Sequence, residues 1–255
     1  LPFHDSILRY FIELAFNGGN YFGWQRQPND ISVQETLEHA LSTLLRKTIT
    51  IVGAGRTDTG VHARQIFAHF DVQEPLEAET LTARLNGFLP NDISIIDLFE
   101  VPENAHARFD AVHREYQYFL STKKDPFTNG FTYSVSQIPN LAKMNAAAAL
   151  LLAHTDFQCF SKSKTDVRTY DCKITKAEWS QQDDVLVFTV GADRFLRNMV
   201  RAIVGTLLSV GYGKMDIDGF RAVLASKDRS SAGTSVPGYA LFLNKVTYPI
   251  NHFKL

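Results

Sequence analysis

Over the first hundred residues, some segments repeat hydrophobic positions every second residue, as strands do, and others every three or four residues, as helices do. Strands are predicted where apolar and β-branched residues run together or alternate, over residues 9–16, 48–52, 65–72 and 93–101. Helices are predicted where apolar residues recur every three or four positions, over residues 33–46 and 80–89. Ser32 and Glu35 form a capping box before the first helix, and Pro90 ends the second. The predicted order is β-α-β-β-α-β.

The same order is predicted for the rest of the chain. Strands are predicted over residues 115–121, 173–180, 185–191 and 239–247, and helices over residues 140–153, 194–210 and 218–225. We therefore predict an α+β protein of two ferredoxin-like or RRM-like halves, residues 1–105 and 106–255, whose antiparallel sheets join around a central cleft. Sheet faces of this kind are common platforms for RNA, although the fold alone does not give the function.

Composition excludes several classes of protein. Apolar residues make up 45% of the chain and charged residues 21%, which excludes wholesale disorder. No apolar run is long enough for a membrane span, and the first ten residues do not have the pattern of a signal peptide. Two cysteines without a CxxC pattern exclude a disulfide scaffold and a cysteine zinc site, and they predict a cytoplasmic protein.

Charge is divided unevenly between the two predicted halves. Residues 1–105 contain 7 Lys and Arg against 14 Asp and Glu, whereas residues 106–255 contain 19 against 13. A basic second half indicates an anionic partner, with chance clustering as the alternative.

A glycine-bracketed loop, residues 53–61, follows the strand predicted over residues 48–52. Arg56 lies two residues before Asp58, so both side chains point the same way in an extended segment. A guanidinium beside a carboxylate favours the ionised form, which makes Asp58 a candidate nucleophile or base. A surface turn with a local ion pair is the alternative. A metal site of Asp58, His62 and His69 is a weaker one, because no second acidic ligand lies nearby.

Two further segments combine arginine with aromatic or apolar residues. Arg114, Tyr116 and Tyr118 share one face of a predicted strand, where they could stack a base and neutralise a phosphate, or simply pack across the sheet. On the helix predicted over residues 194–210, Arg194, Arg197 and Arg201 fall within about 60° of one another, opposite an apolar face. An all-arginine stripe favours recognition of phosphate or carboxylate over an ordinary solvated face.

These segments carry a resemblance to a known family. Gly53–Ala63 (GAGRTDTGVHA) resembles the signature of the pseudouridine synthases, in the form typical of the TruA family. Further segments resemble motifs of the family, in the family's order and along nearly the whole chain. Residues 21–25 (YFGWQ) resemble F-x-G-W-Q. The other matches are V-Q at 33–34, N-x-x-L-P at 86–90, H-A-R-F at 106–109, R-x-Y-x-Y at 114–118 and F-L-x-x-M-V-R at 195–201. Such an ordered set of motifs is highly specific.

The resemblance implies an activity and a set of partners. The implied reaction isomerises uridine to pseudouridine at positions 38, 39 and 40 in the anticodon stem-loop of tRNA. Neither a cofactor nor a metal is implied. The implied partners are tRNA and a second copy of the chain.

The resemblance also implies roles for individual residues. Asp58 matches the essential aspartate, which either attacks the substrate covalently or removes a sugar proton. Arg56 matches a residue that pairs with Asp58 and fills the place of the extruded nucleotide. Tyr116 matches the tyrosine that stacks on the uracil. Arg201 matches the basic residue that forms a salt bridge with Asp58. Leu241 matches an apolar position against the base, although the sequence there reads Gly-Tyr-Ala-Leu where the family usually has E-G-L. The remaining predicted substrate-binding residues are Tyr118, Arg197, Arg194, Arg114 and His62.

Two other functions compete with this interpretation. A non-catalytic RNA-binding protein would keep the aromatic and arginine surfaces but would not need Asp58. A metal-dependent phosphodiesterase would use Asp58, His62 and His69, would lose activity to a chelator and would yield cleaved RNA.

Overall fold

A computed structural model describes residues 7–162 and 167–249, which form two compact units. The first unit contains residues 7–112 and 243–249, and the second contains the described residues between 113 and 242. Both units combine antiparallel strands with helices, which confirms the α+β class. No helix among the described residues is long and apolar enough to cross a membrane.

The first unit is built around an antiparallel sheet. Its strands are β1 (Leu8–Phe16), β2 (Val52–Gly53), β3 (His62–Val72) and β4 (Ile93–Val101), and its helices are α1 (Val33–Leu45) and α2 (Ala78–Phe88). Strand β1 lies between β3 and β4 and is antiparallel to both, while the short β2 pairs with the other edge of β3. Helix α2 packs against β4, and α1 packs against α2.

The strand predicted over residues 48–52 is mostly absent. Only Val52 and Gly53 join the sheet, because the preceding backbone bonds to side chains of α1 instead of to a neighbouring strand. The Ile49 amide donates to Ser42 Oγ at 2.9 Å, and the Ile51 amide donates to Glu38 Oε1 at 3.0 Å. A β-branched run therefore follows the helix surface, and it leads into the glycine loop from there.

The second unit contains its own antiparallel strands. They are β5 (His113–Ser121), β6 (Tyr133–Ser134), β7 (Ile174–Gln182) and β8 (Val185–Ala192), with helices α3 (Leu141–Ala149), α4 (Met199–Gly211) and α5 (Ile217–Ser226). Strand β8 lies between β5 and β7 and is antiparallel to both, and the short β6 is parallel to β5. Helix α3 packs against β7 and α4. The helix predicted over residues 140–153 ends as 3₁₀ turns over Leu150–Ala153.

Helix α4 begins five residues later than predicted, which removes the arginine stripe. Asn198 has a left-handed backbone with φ of 66°, so residues 194–198 precede the helix, and the last two of them form a turn. Arg194 and Arg197 are therefore outside α4, and only Arg201 stands on it. The prediction that the three arginines share one helical face is wrong, because it extended a helical period through a residue whose backbone breaks it.

The chain returns to the first unit at its C-terminal strand, β9 (Leu241–Thr247). The Val246 amide donates to Gln65 Oε1 at 3.1 Å, and the Val112 amide donates to the Thr247 carbonyl at 2.9 Å. The Tyr248 hydroxyl donates to the Ala107 carbonyl. These bonds explain why the boundary after residue 112 differs from the expected one at residue 105, and why residues 243–249 are not part of the second unit.

Candidate active site

The loop that carries Asp58 is fixed by its own backbone. The Ala54 amide donates to the Phe67 carbonyl of β3 at 2.7 Å, and the Val61 amide donates to the Asp58 carbonyl at 3.1 Å. The second bond closes a tight turn in which Gly60 has φ of +77°, a conformation that favours glycine. A third bond, from the Trp24 amide to the Thr57 carbonyl at 3.3 Å, ties the loop to the segment before α1. The aspartate therefore stands on a constrained turn.

Two glycines outside the loop let other backbone segments approach it. A Cβ atom on Gly23 would lie 2.3 Å from the Thr57 carbonyl oxygen, and one on Gly18 would lie 2.0 Å from the Val61 carbonyl oxygen. Gly23 also has φ of +96°, which side chains rarely adopt. The family motif at residues 21–25 thus has a physical reason: it packs directly against the backbone that presents Asp58.

The side chains of the loop differ in their surroundings. Asp58 is half-buried. Arg56 is exposed, and its guanidinium makes no hydrogen bond or ion pair with the described residues. The local Arg56–Asp58 pair that spacing predicted is therefore not formed. Thr57, between them, is buried, and its hydroxyl has no hydrogen-bond partner among the described residues.

The two histidines proposed as metal ligands are buried parts of the first unit. His62 is 1% exposed, and its Nδ1 accepts the Gly18 amide at 2.9 Å. His69 Nδ1 accepts the Ala107 amide at 3.1 Å, and burial, aided by the charge of Arg9, lowers the pKa of His69 to about 4. The His62 ring therefore holds the Gly18 turn, and contact between His62 and substrate stays a prediction.

The described residues also contain no group of three His, Cys, Asp or Glu side chains placed to hold a metal ion.

Two tyrosines that sequence placed on one strand face have different environments in the second unit. Tyr116 is half-buried, and its ring meets Phe195 edge to face, with centroids 5.2 Å apart. Tyr118 is completely buried, and its hydroxyl donates to the Pro237 carbonyl at 3.1 Å. The Tyr118 ring has no exposed surface in this structure, and its contact with substrate stays a prediction. Burial also raises the pKa of Tyr118.

Arg201 is held by the segment before β9. Its Nε donates to the Val236 carbonyl at 2.7 Å, and its own carbonyl accepts the Val236 amide at 3.2 Å. Ser235 Oγ accepts hydrogen bonds from Asn198 Nδ2 at 2.7 Å and from Arg229 Nη2 at 2.8 Å. The backbone that orients the Arg201 guanidinium is thus anchored by two side chains that sequence analysis did not select.

The other predicted arginines lie around the end of β8. Arg114 Nη1 donates to the Asp193 carbonyl at 2.8 Å, and Asp193 Oδ1 accepts the Arg194 amide at 2.7 Å. Arg194 is half-buried and Arg197 is exposed. Leu241, the first residue of β9, is 5% exposed. Contacts of these four residues with RNA stay predictions.

Comparisons with known proteins agree on one family. A family model described as tRNA pseudouridine synthase matches residues 14–110 and 147–249. The chain is 54% identical over 242 residues to tRNA pseudouridine synthase A of Parabacteroides distasonis, covering 94% of this chain and 96% of the relative. It is 52% identical to the Bacteroides fragilis protein of the same name, covering 98% and 100%, and 38% identical to that of Bacillus subtilis, covering 94% and 99%. The crystal structure of a Cbf5–Nop10–Gar1 complex aligns with a TM-score of 0.32 and 12% identity over 78% of this chain and 54% of the other, which is too distant to carry an argument.

Proposed function

This chain belongs to the tRNA pseudouridine synthase family, and on that basis we propose that it isomerises uridine to pseudouridine at positions 38, 39 and 40 in the anticodon stem-loop of tRNA. The observation that carries the proposal is the match to relatives over nearly the whole of both chains. The choice of these three positions rests on the TruA-type motifs in the sequence.

The reaction is an isomerisation. The N-glycosidic bond of the target uridine breaks, the uracil turns, and its C5 forms a new bond to C1′ while the proton on C5 is lost to a base and N1 gains one. Because the base of a helical stem cannot react in place, the target must first leave the stack, at a cost of a few kcal/mol. Contacts to the tRNA backbone can offset that cost.

We assign the chemistry to four residues. Asp58 acts on the sugar, either as a nucleophile or as the group that removes a proton. Tyr116 stacks on the uracil, and its edge-to-face contact with Phe195 supports a fixed ring plane. Arg56 fills the space that the target leaves, which suits an exposed guanidinium without a partner in the described residues. Arg201 pairs with Asp58, keeping it ionised and oriented.

The fixed Asp58 loop supports this assignment physically. A nucleophile that is mispositioned by about 1 Å can lose on the order of a hundredfold in rate, so a catalytic carboxylate gains from a backbone that does not move. Tight contacts at Gly23 and Gly18, together with the bond between Trp24 and Thr57, supply such a backbone.

Finer features of the protein belong to the same proposal. We infer a ferredoxin-like arrangement for each unit, supported in the first by the strand order β4-β1-β3 with β2 on the edge of β3. The joining of the two sheets around a cleft is expected from the repeated order of strands and helices, and a cytoplasmic location from the use of cysteine. A homodimer is expected from the family resemblance alone.

The proposal is tested with unmodified tRNA transcripts. The wild-type protein is incubated with them in spermidine and EDTA, so that the RNA stays folded without free divalent ions, and pseudouridine is mapped along each transcript. We expect product at positions 38 to 40 and no cleavage. Product at other positions would correct the site. Binding without product would favour the RNA-binding alternative, and cleavage that a divalent ion restores would favour the phosphodiesterase.

A further inference from the structure

A cavity of about 190 Å³ opens beside the Asp58 loop within the first unit. Its lining includes two exposed arginines, Arg56 and Arg108, together with Gln25, Trp24 and Gly55. The amide of Gln25, like the guanidinium of Arg56, makes no hydrogen bond with the described residues. A Cβ atom on Gly55 would meet nothing within 4 Å, so the loop backbone faces open space there. Hydrogen-bond donors and bare backbone thus border one cavity.

The charge of this cavity is opposite to that of its surroundings. The described residues of the first unit, 7–112 and 243–249, carry 14 acidic and 9 basic side chains. Two guanidinium groups that line one cavity in such a unit favour an anionic ligand, because each adds a planar set of donors that matches phosphate oxygens.

Arg108 stands on a turn, residues 105–110, that is fastened from several sides. His106 Nδ1 accepts the amides of Arg108 and Phe109 at 3.1 and 3.2 Å, and the Asp110 amide donates to the His106 carbonyl at 3.1 Å. Arg9 Nη1 donates to the Ala105 carbonyl at 2.9 Å. His69 and Tyr248 bond the amide and carbonyl of the residue before Arg108, as described above.

The turn presents two exposed side chains, those of Arg108 and Phe109. Phe109 is 74% exposed, and the Arg108 guanidinium carbon lies 5.7 Å from the centre of the Phe109 ring. An aromatic ring beneath an arginine restricts the motion of the guanidinium. A rigid turn that presents an arginine to a polar cavity is suited to hold an anion in a set position.

We propose that Arg108 binds a phosphodiester of the substrate RNA next to the target nucleotide, in the cavity that it shares with Arg56. The inference rests on the proposed function, since it names the part of the same RNA that the first unit holds. The bound phosphate fixes the strand on one side of the target, so that binding energy at the backbone helps to extrude the target base.

The first test measures equilibrium binding of unmodified tRNA in the Asp58→Asn background across a salt series. We expect Arg108→Ala to weaken affinity about tenfold and to flatten the dependence of log K on log salt by about one unit. Arg108→Lys should keep the slope and recover part of the affinity. Arg84→Ala, at an exposed arginine on α2 outside the cavity, is the matched control and should change neither quantity.

The second test locates the phosphate. Single methylphosphonate linkages, which carry no charge, are placed one at a time on both sides of the mapped target uridine. The Arg108→Ala penalty should disappear at one of these linkages and persist at the others. Each variant is first checked by thermal melting, and a midpoint within about 2 °C of the parent excludes a folding defect.

The inference is overturned if Arg108→Ala binds like Arg84→Ala, or if its penalty persists unchanged at every neutralised linkage. Neither result depends on catalysis. Failure of the proposed function is seen separately, as a wild-type protein that forms no pseudouridine in any transcript.

Discussion

The α-carbon of Gly23 packs against the carbonyl oxygen of Thr57, so closely that a methyl group on Gly23 would lie 2.3 Å from that oxygen. The next residue, Trp24, donates its amide to the same carbonyl at 3.3 Å. The residue after Thr57 is Asp58. The position of the proposed catalytic carboxylate is therefore set by a backbone contact with a glycine more than thirty positions away in sequence.

Gly23→Ala should damage turnover more than tRNA binding. The methyl group forces the Thr57 carbonyl to move, and the positive φ adds strain, so we expect a loss of about 1–3 kcal/mol in stability and about a hundredfold in single-turnover rate. Gly87→Ala on α2 is the matched control, because a Cβ there meets nothing within 4 Å. Thermal melting and single-turnover kinetics measure both effects. A Gly23→Ala enzyme with an unchanged rate would show that the Asp58 loop does not depend on this contact.

Arg201 and the two arginines before α4 should differ in what they contribute. Arg201→Ala removes the proposed partner of Asp58, so we expect the saturated rate to fall about a hundredfold while affinity changes little. Arg194→Ala or Arg197→Ala should weaken binding and flatten the salt slope by about one unit for each lost phosphate contact. Binding and single-turnover rates across a salt series separate the two classes. An Arg201→Ala variant that lost affinity but kept its rate would reverse the assignment.

Ser235 should act on catalysis through Arg201 without touching the substrate. Its hydroxyl accepts hydrogen bonds from Asn198 and Arg229. The carbonyl of the next residue, Val236, accepts a hydrogen bond from Arg201 Nε. We expect Ser235→Ala to lower the saturated rate about tenfold with little change in tRNA affinity, and Ser235→Thr, which keeps the hydroxyl, to restore it. The exposed Ser180→Ala is the control. Equal loss in the alanine and threonine variants would indicate a packing defect unrelated to the hydroxyl.

Stability should fall as pH decreases from about 6.5 towards 4. Since the pKa of His69 is about 4 in the folded protein and near 6.5 when unfolded, the unfolded chain binds more protons in this window. The contribution, on the order of 2–3 kcal/mol, is present above pH 6.5 and lost towards pH 4. Burial also lowers the pKa of His106, and Arg9, Asp71 and Asp110 are the other charged neighbours of this cluster.

The measurement for His69 is the free energy of unfolding in urea between pH 4.5 and 7. We expect His69→Gln to be less stable at pH 7 and to show a shallower dependence on pH, while His39→Gln, at an exposed position, keeps the wild-type slope. Identical slopes in the wild type and His69→Gln would show that this imidazole does not titrate with folding.

Sequence periodicity predicted most helices and strands, because their apolar positions follow the period of the element that buries them. It failed where side chains or backbone sterics override the period. The Ile51 amide donates to the Glu38 carboxylate and is therefore not paired with a neighbouring strand. Asn198 has a left-handed backbone, which interrupts the helical pattern before α4.

Sequence motifs predicted which residue types form the candidate site, but not how those residues pack. The sequence placed Asp58 on a turn between glycines, which the structure has, but it could not show that His62 and Tyr118 are buried. Burial depends on which segments pack together, and a motif records residue types alone. Arg108 lies in the H-A-R-F motif, but its role needs the cavity that it lines with Arg56. The anchoring of Ser235 by Asn198 and Arg229 has no sequence signal, because these two residues lie 37 and 6 positions from Ser235 without a shared period.

The central claim, that this chain isomerises uridine in tRNA through Asp58, is tested most directly by Asp58→Asn. The amide keeps the size of the side chain but cannot act as a nucleophile or a base. Wild-type and variant proteins are incubated with the same unmodified tRNA, and pseudouridine and affinity are measured in parallel. We predict that the variant binds tRNA within about threefold of the wild type, a change below 1 kcal/mol, and forms no pseudouridine. Near-normal pseudouridine formation by Asp58→Asn would contradict the account.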